Sequence, residues 1–255
     1  MSDAATTAIS LGWGVQSFGL AAMAALGELP RVDVAIHADT THEMSATYAF
    51  AQKWTPWLED HGLRVVTVVP ADPRYVQRKG KSVPMGVFTD TRQSRGMLPR
   101  QCTYDWKIRP IRKWLRAHRP GSVELWIGIT LDEIQRAKPS RVKYLTHRWP
   151  YLEGENPLRR SGVARWLEAR GLEIPPRSAC YFCPFHSDAG WRAVKATEDW
   201  ARAIAVDEAI RKVRPPWDLY LHRSVQPLAS VDLRSDYEMG QLDLWTNECE
   251  GVCGV

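Results

Sequence analysis

Apolar positions in the first half of the chain switch between two periods. Residues 6–10 form a short apolar run that leads into Gly12-Trp13-Gly14-Val15-Gln16-Ser17, after which Phe18, Leu20, Ala21, Met23, Ala24 and Leu26 recur at helical spacing. This pattern predicts a strand, a glycine turn and a helix. Residues 31–38 form a second apolar run ending at Asp39-Thr40, residues 44–58 have helical spacing, and residues 63–69 are rich in β-branched side chains. A helix over residues 108–117, carrying Trp114 and Leu115, precedes a fourth strand candidate at residues 126–129. Strands alternating with helices predict βαβ units: an α/β fold with a parallel sheet and helices on both faces. Right-handed crossovers then put the C-terminal end of every strand on one rim. The connection over residues 72–101, with Pro73, Gly80, Pro84, Gly86, Gly96 and Pro99, is long enough to be a candidate lid. Past Pro150 the texture becomes helical and irregular, with pieces at residues 162–170 and 189–214. The predicted organisation is an α/β core at 1–150, a helical portion at 151–227 and a tail at 228–255.

Composition adds exclusions. At 255 residues, 44% hydrophobic and 25% charged, the chain matches a globular protein near the upper size of one core, not a disordered or fibrous one. No run approaches the roughly 18 apolar residues that span a bilayer. Residues 4–29 are too interrupted by Ser, Gly and Trp for a signal peptide. The expectation is a cytoplasmic protein without a membrane partner. The net charge of +5 favours an anionic partner. Five cysteines, an odd number without an export signal, argue against a disulfide framework and for thiol chemistry or a metal.

A glycine turn between strand and helix lets the backbone approach a phosphate and aims N–H groups and the helix dipole at it. Gly12, Gly14, Gln16 and Ser17 are candidates for that role; a packed βα turn is the alternative. The turn is neither a Walker loop nor a dinucleotide fingerprint. Its order and neighbours resemble the PP-loop of the adenine nucleotide α-hydrolase superfamily. That superfamily includes the phosphoadenosine phosphosulfate reductase-like family, ATP pyrophosphatases and tRNA or DNA sulfur-transfer enzymes. Against the family pattern Ser-Gly-Gly-x-Asp-Ser, Gly14 and Ser17 match, Trp13 stands for the first glycine and Gln16 for the aspartate. The aspartate's role, including metal handling by Mg2+, is therefore not carried across.

The resemblance continues in order over residues 8–186. Asp39-Thr40 with Glu43 is similar to an element that family members place near adenosine. Cys102 followed by Lys107 and Pro110 resembles a cysteine with Lys-x-x-Pro at a helix start. Gly128-Ile129-Thr130-Leu131-Asp132-Glu133 with Arg136 resembles Gly-Ile-Arg-x-Asp-Glu...Arg, with Thr130 in place of the first arginine. Trp149-Pro150-Tyr151-Leu152 then precedes Cys180-Tyr181-Phe182-Cys183-Pro184-Phe185. The resemblance implies an ATP or sulfonucleotide site formed by Gly12, Trp13, Gly14, Gln16, Ser17, Asp39, Thr40, Glu43 and Gly128, with Lys107 and Arg136 neutralising developing charge.

Cys180-x-x-Cys183 has the spacing of a metal or cluster edge; a redox dithiol and two packed cysteines are the other readings. Cys102 is the natural third ligand. The resemblance implies a 4Fe-4S cluster on these three, with zinc as the alternative. Glu248-Cys249 and Cys253-Gly254 look like a duplicated form of the C-terminal Glu-Cys-Gly of sulfonucleotide reductases. They are candidate catalytic thiols, as sulfur carrier and resolving thiol or as further ligands; an ordinary tail is the alternative. Arg109, Arg112, Lys113 and Arg116 recur at helical spacing and form one basic stripe, which is either a solvated face or an approach path for an anion.

Three functions follow. The first is ATP-dependent sulfur transfer to an acceptor such as tRNA or DNA, with sulfur from a cysteine desulfurase-type donor. The second is reduction of a sulfonucleotide with a thioredoxin-type donor. The third is a zinc-stabilised nucleotide-binding subunit without turnover, which the missing aspartate keeps open.

Overall fold

A computed structural model describes residues 6–77, 80, 82–90, 95–119, 121–154 and 156–234. In chain order its elements are β1 (Thr6–Leu11), α1 (Val15–Ala25), β2 (Val34–Ala38), α2 (Ser45–Asp60), β3 (Val65–Val68), β4 (Phe88–Asp90), β5 (Arg95–Met97), α3 (Arg109–His118), β6 (Val123–Trp126), β7 (Leu145–Arg148), α4 (Arg160–Glu168), α5 (Asp188–Lys195), α6 (Asp199–Ile210) and β8 (Asp218–Tyr220). The chain divides into two discontinuous units. The first holds residues up to Ala71 together with Trp106–Ala179; the second holds Asp72–Asp105 together with residues from Cys180 onward.

The first unit is the expected parallel sheet, in the order β3-β2-β1-β6-β7. Ala8 pairs with Val34 on one side of β1 and with Leu125 on the other. Because parallel strands are covered on both faces, β2, Val-Ala-Ile-His-Ala, is buried along its whole length. Alternate side chains feed two cores. Ile9, Leu11, Ala35 and Trp126 pack with α1, α2 and α4 through Phe18, Phe50, Trp54, Leu58 and Val163. Ala8, Val34, Ile36, Leu125 and Leu145 pack with α3 through Ile111 and Leu115. Gly19 sets the approach of α1 to α4: a Cβ there would stand 2.5 Å from Val163 Cγ1 and 3.0 Å from the Tyr151 hydroxyl.

The strand expected at residues 126–129 begins earlier, at Val123, and the residues after Trp126 form the rim loop. The loop-rich stretch at 72–101 contains β4 and β5, which with β8 make a small antiparallel sheet in the order β5-β4-β8 within the second unit. The helical piece read over residues 189–214 is two helices, because the chain turns at Thr197, whose hydroxyl bonds the Val194 carbonyl at 2.7 Å. The second unit's core gathers Trp191, Val194, Ala203, Val206, Ile210, Leu219 and Leu221, all buried. Among the described residues no helix is long and apolar enough to cross a membrane.

Candidate active site

Three loops leave the C-terminal rim of the parallel sheet: Gly12–Gly14 after β1, Asp39–Glu43 after β2, and Ile127–Thr130 after β6. The strand order reverses between β1 and β6, and in open α/β sheets that switch point is where ligands enter. Contact there is backbone on backbone. A Cβ on Gly128 would stand 2.9 Å from both the carbonyl carbon and oxygen of Gln16, so only glycine lets the two loops meet.

The turn is braced from several directions. Ser17 Oγ accepts from the Gly12 N–H at 3.0 Å and donates to the Gly14 carbonyl at 3.3 Å. The Ser178 hydroxyl donates to the Gly12 carbonyl, and Tyr151 donates to the Gln16 carbonyl at 2.7 Å. Gly14 is the N-cap of α1 and supplies no side-chain cap. Phe18 is the first residue of the helix whose N–H finds a backbone carbonyl, that of Gly14 at 2.9 Å. The N–H groups of Gly14, Val15, Gln16 and Ser17 have no backbone acceptor among the described residues. Together with the positive end of the helix dipole they constitute an anion cradle.

Trp13 has a left-handed backbone, φ 59°, where a non-glycine residue is strained by about 1–2 kcal/mol. Its indole is 1% exposed and packs with Phe18, His37 and Phe50, ring centroids 6.2–6.3 Å apart. What Trp13 can offer a phosphate is therefore its backbone; the ring belongs to the core. Gln16, in the aspartate's place, donates to Glu133 Oε1 at 2.9 Å. Glu133 also pairs with Arg136, one turn further on. Asp132, beside them, accepts from the Arg160 N–H and from Arg159, which hold its carboxyl below the ordinary range.

After β2, Asp39 accepts from the Tyr48 hydroxyl and the Thr41 N–H, both at 2.7 Å. Burial and the Asp39 carboxylate push the Tyr48 phenol well above its usual range, so it is a proton donor here. Glu43 is 1% exposed. Its Oε1 accepts from Lys107 at 2.9 Å and from Thr40 at 3.3 Å, while Oε2 is buried with no hydrogen-bond partner. His37 donates Nδ1–H to the Leu11 carbonyl at 3.1 Å, and burial lowers its pKa. Asp39, Thr40, Glu43 and Lys107 thus stand together in the first unit, and Gly12, Gly14, Gln16, Ser17, Gly128 and Arg136 form the neighbouring set. Sequence reading missed Tyr48, Ser178 and the bracing role of Tyr151. The i, i+9 relation of Asp39 to Tyr48 carries no local signal, and Ser178 comes from a loop distant in sequence.

In the second unit, Cys180 begins a turn closed by the Cys183 N–H on the Cys180 carbonyl at 3.0 Å. His186 reinforces it, its backbone N–H donating to the Cys183 carbonyl and its Nε2 to the Cys180 carbonyl. The two intervening rings, Tyr181 and Phe182, are 5% and 1% exposed, whereas both cysteines are half-buried. The spacing therefore anchors the turn by its middle and leaves its sulfur ends nearer solvent. Arg202 lies over the Tyr181 ring at 4.1 Å and Arg100 over the Phe185 ring at 5.0 Å. Cys102 lies in the same unit; its N–H, like that of Gln101, donates to the Pro84 carbonyl. It opens the π-helical turn Thr103–Ile108, which carries Lys107 and runs into α3 with Pro110 in its first turn. Among the described residues no group of three or more His, Cys, Asp and Glu side chains is arranged to hold a metal ion. Cys249 and Cys253 lie outside the described residues.

No protein-family model and no curated protein matches the chain. Two solved structures are similar at low identity. One is phosphoadenylyl-sulfate (PAPS) reductase from Candida auris in a phosphate complex: 12% identity, 67% of this chain and 75% of that one covered, TM-score 0.45. The other is the U34-tRNA thiolase NcsA from Methanococcus maripaludis with its 4Fe-4S cluster: 15% identity, 83% of this chain and 67% of that one, TM-score 0.42. At such values no residue role is transferred from either.

Proposed function

We propose that the chain is an adenine-nucleotide enzyme of sulfur chemistry that activates an acceptor by adenylation and then thiolates it. The observation carrying this reading is the anion cradle at the start of α1, set at the β1/β6 switch point and brought against the second loop by Gly128. The N–H groups of Gly14 to Ser17 bind the phosphates of ATP. Asp39, Thr40 and the buried Glu43 face the nucleoside end, with Lys107 holding Glu43 in place.

An oxygen of the acceptor attacks the α-phosphorus; the O–P bond forms, the bond to the β-phosphate oxygen breaks, and pyrophosphate leaves. The terminal sulfur of a cysteine persulfide then attacks the adenylated carbon, and AMP departs with the oxygen. A second thiol splits the resulting disulfide, which leaves the thiolated acceptor and a protein disulfide for a thiol reductant to open. Cys249 and Cys253 are the proposed carrier and resolving pair. A nucleic acid is the proposed acceptor, and a cysteine desulfurase-type protein the proposed sulfur source. Cys102, Cys180 and Cys183 are the proposed cluster ligands. A 4Fe-4S cluster there would supply an iron able to bind sulfide, but the described side chains do not form a three-ligand centre by themselves, and the steps above do not pass through one.

The decisive experiment incubates anaerobically purified protein with ATP and RNA or DNA and measures pyrophosphate and AMP. Acceptor-dependent release of both supports the reading; sulfite release from a sulfonucleotide with reduced thioredoxin, and none of pyrophosphate from ATP, overturns it. The Glu248-Cys249 and Cys253-Gly254 pattern is what favours that second, reductive reading. A brown anaerobic solution with broad visible absorbance supports the cluster, whereas colourless protein with bound zinc removes it.

A further inference from the structure

Two adjacent acids on the segment that follows Thr130 are turned opposite ways. Asp132 Oδ2 accepts from the Arg160 N–H at 2.6 Å and Oδ1 from Arg159 at 3.2 Å, which commits it to the start of α4. Glu133 stands at a kink in the 3-10 turn Leu131–Arg136, with φ −129° and ψ 21°, and reaches α1 instead. Its Oε1 accepts from Gln16 Nε2 at 2.9 Å and its Oε2 from Arg136. Both oxygens of Glu133 are therefore occupied, one by a neutral donor from the first turn of α1 and one by a cation. The Arg136 guanidinium makes no other hydrogen bond among the described residues and its side chain is 40% exposed, so most of its five N–H donors remain open to a ligand. Gln16 is itself fixed from behind, by the Tyr151 hydroxyl on its carbonyl at 2.7 Å and by the close approach of Gly128 to its backbone.

The residue type at position 16 matters because of where it stands. It lies beside the N–H groups of the cradle, in a helix turn that holds no acidic side chain. A carboxylate there would compete with a bound anion for those groups and repel its charge, and it would face Glu133 across 2.9 Å as a like charge. An amide avoids both. It gives Glu133 a donor, leaves the N–H groups to a ligand, and keeps the nearest negative charge one side chain away, where Arg136 balances it. We propose that Gln16 is a positioning residue that acts through Glu133 to hold Arg136 beside the anion cradle, so that a pyrophosphate group bound there meets the helix N–H groups and the guanidinium together. The assignment of pyrophosphate rests on the adenylation reading, in which Arg136 receives the charge that grows on the leaving pyrophosphate. The side chains of Gln16 and Glu133 do not touch that group; they act by orienting Arg136.

The test is calorimetric titration of inorganic pyrophosphate into the full chain, without nucleotide, arranged as a double-mutant cycle. Gln16→Leu and Arg136→Gln are each expected to weaken binding on the order of tenfold. Together they are expected to weaken it by the same factor, because the two side chains share one route through Glu133. A combined loss on the order of 100-fold, full affinity in Gln16→Leu, or a parent that does not bind pyrophosphate overturns the proposal. A second pair of variants separates positioning from bracing. Gln16→Glu is expected to lower the melting temperature and the pyrophosphate affinity together. Gln16→Glu/Glu133→Gln restores an amide–carboxylate contact with donor and acceptor exchanged, and is expected to recover the melting temperature but not the affinity, since the carboxylate then stands in the cradle and Arg136 has lost its anchor. Recovery of both overturns the proposal, because a purely structural brace would give that result. Coupling in the cycle without pyrophosphate release from ATP overturns the adenylation reading alone; acceptor-dependent release with additive losses in the cycle overturns the positioning role alone.

Discussion

On the rim of the parallel sheet the groups offered to a ligand are mainly backbone N–H groups, and side chains such as Ser17, Ser178 and Tyr151 serve to brace them. In the Cys180–Cys183 turn the arrangement is reversed: backbone bonds close the turn, and side-chain sulfurs stand at its ends. The first design depends on packing and close approach, so its weak points are a buried ring and a glycine. The second depends on residue chemistry, so its weak points are the cysteines themselves, whose loss should cost metal or cluster binding with little stability.

The largest effect is expected at Trp13. Trp13→Ala should destabilise the protein by about 3–5 kcal/mol, because a buried aromatic is lost. Trp13→Gly should cost about 1–2 kcal/mol less than expected from burial alone, since it relieves the left-handed backbone; urea denaturation of both variants checks the difference. Gly128→Ala should cost about 1–3 kcal/mol by overpacking and weaken ATP binding at least about tenfold, read by calorimetric titration.

Protonation should act next. His37 is buried with a pKa below its ordinary 6.5, so the unfolded chain takes up the proton first. Stability should fall as pH drops below about 6.5, with a limiting slope of about 1.4 kcal/mol per pH unit, and His37→Gln should flatten that fall. Ser17→Ala removes the brace on Gly12 and should cost about 0.5–1.5 kcal/mol. Cys180→Ser should change stability by less than about 1 kcal/mol while abolishing the broad visible absorbance of the anaerobically purified protein; a large drop in melting temperature would erase the contrast between the two regions.

The rim was legible in sequence because its elements are local. Each strand, turn and helix from β1 to β3 shows its own period, and βαβ handedness then collects Gly12, Asp39 and Gly128 on one edge. The second unit was not. Its strands are three residues long, too short to display alternation, and β4 and β8 pair across more than a hundred residues. Strand β7, Leu-Thr-His-Arg, was missed because only Leu145 of it is fully buried. The anchoring of the cysteine turn by Tyr181 and Phe182 was present in the motif, but the bond from Gln16 to Glu133 was not, since it joins loops that only the sheet order makes adjacent.

The central claim is that backbone held open by Gly128 binds ATP for attack at its α-phosphate. Incubating α-labelled ATP and acceptor RNA with the parent protein and with Gly128→Ala tests it most directly, with circular dichroism confirming that the variant is folded. The account predicts labelled AMP and stoichiometric pyrophosphate from the parent and at least about a tenfold loss in the folded variant. Labelled ADP, or equal AMP formation by the two proteins, would contradict it.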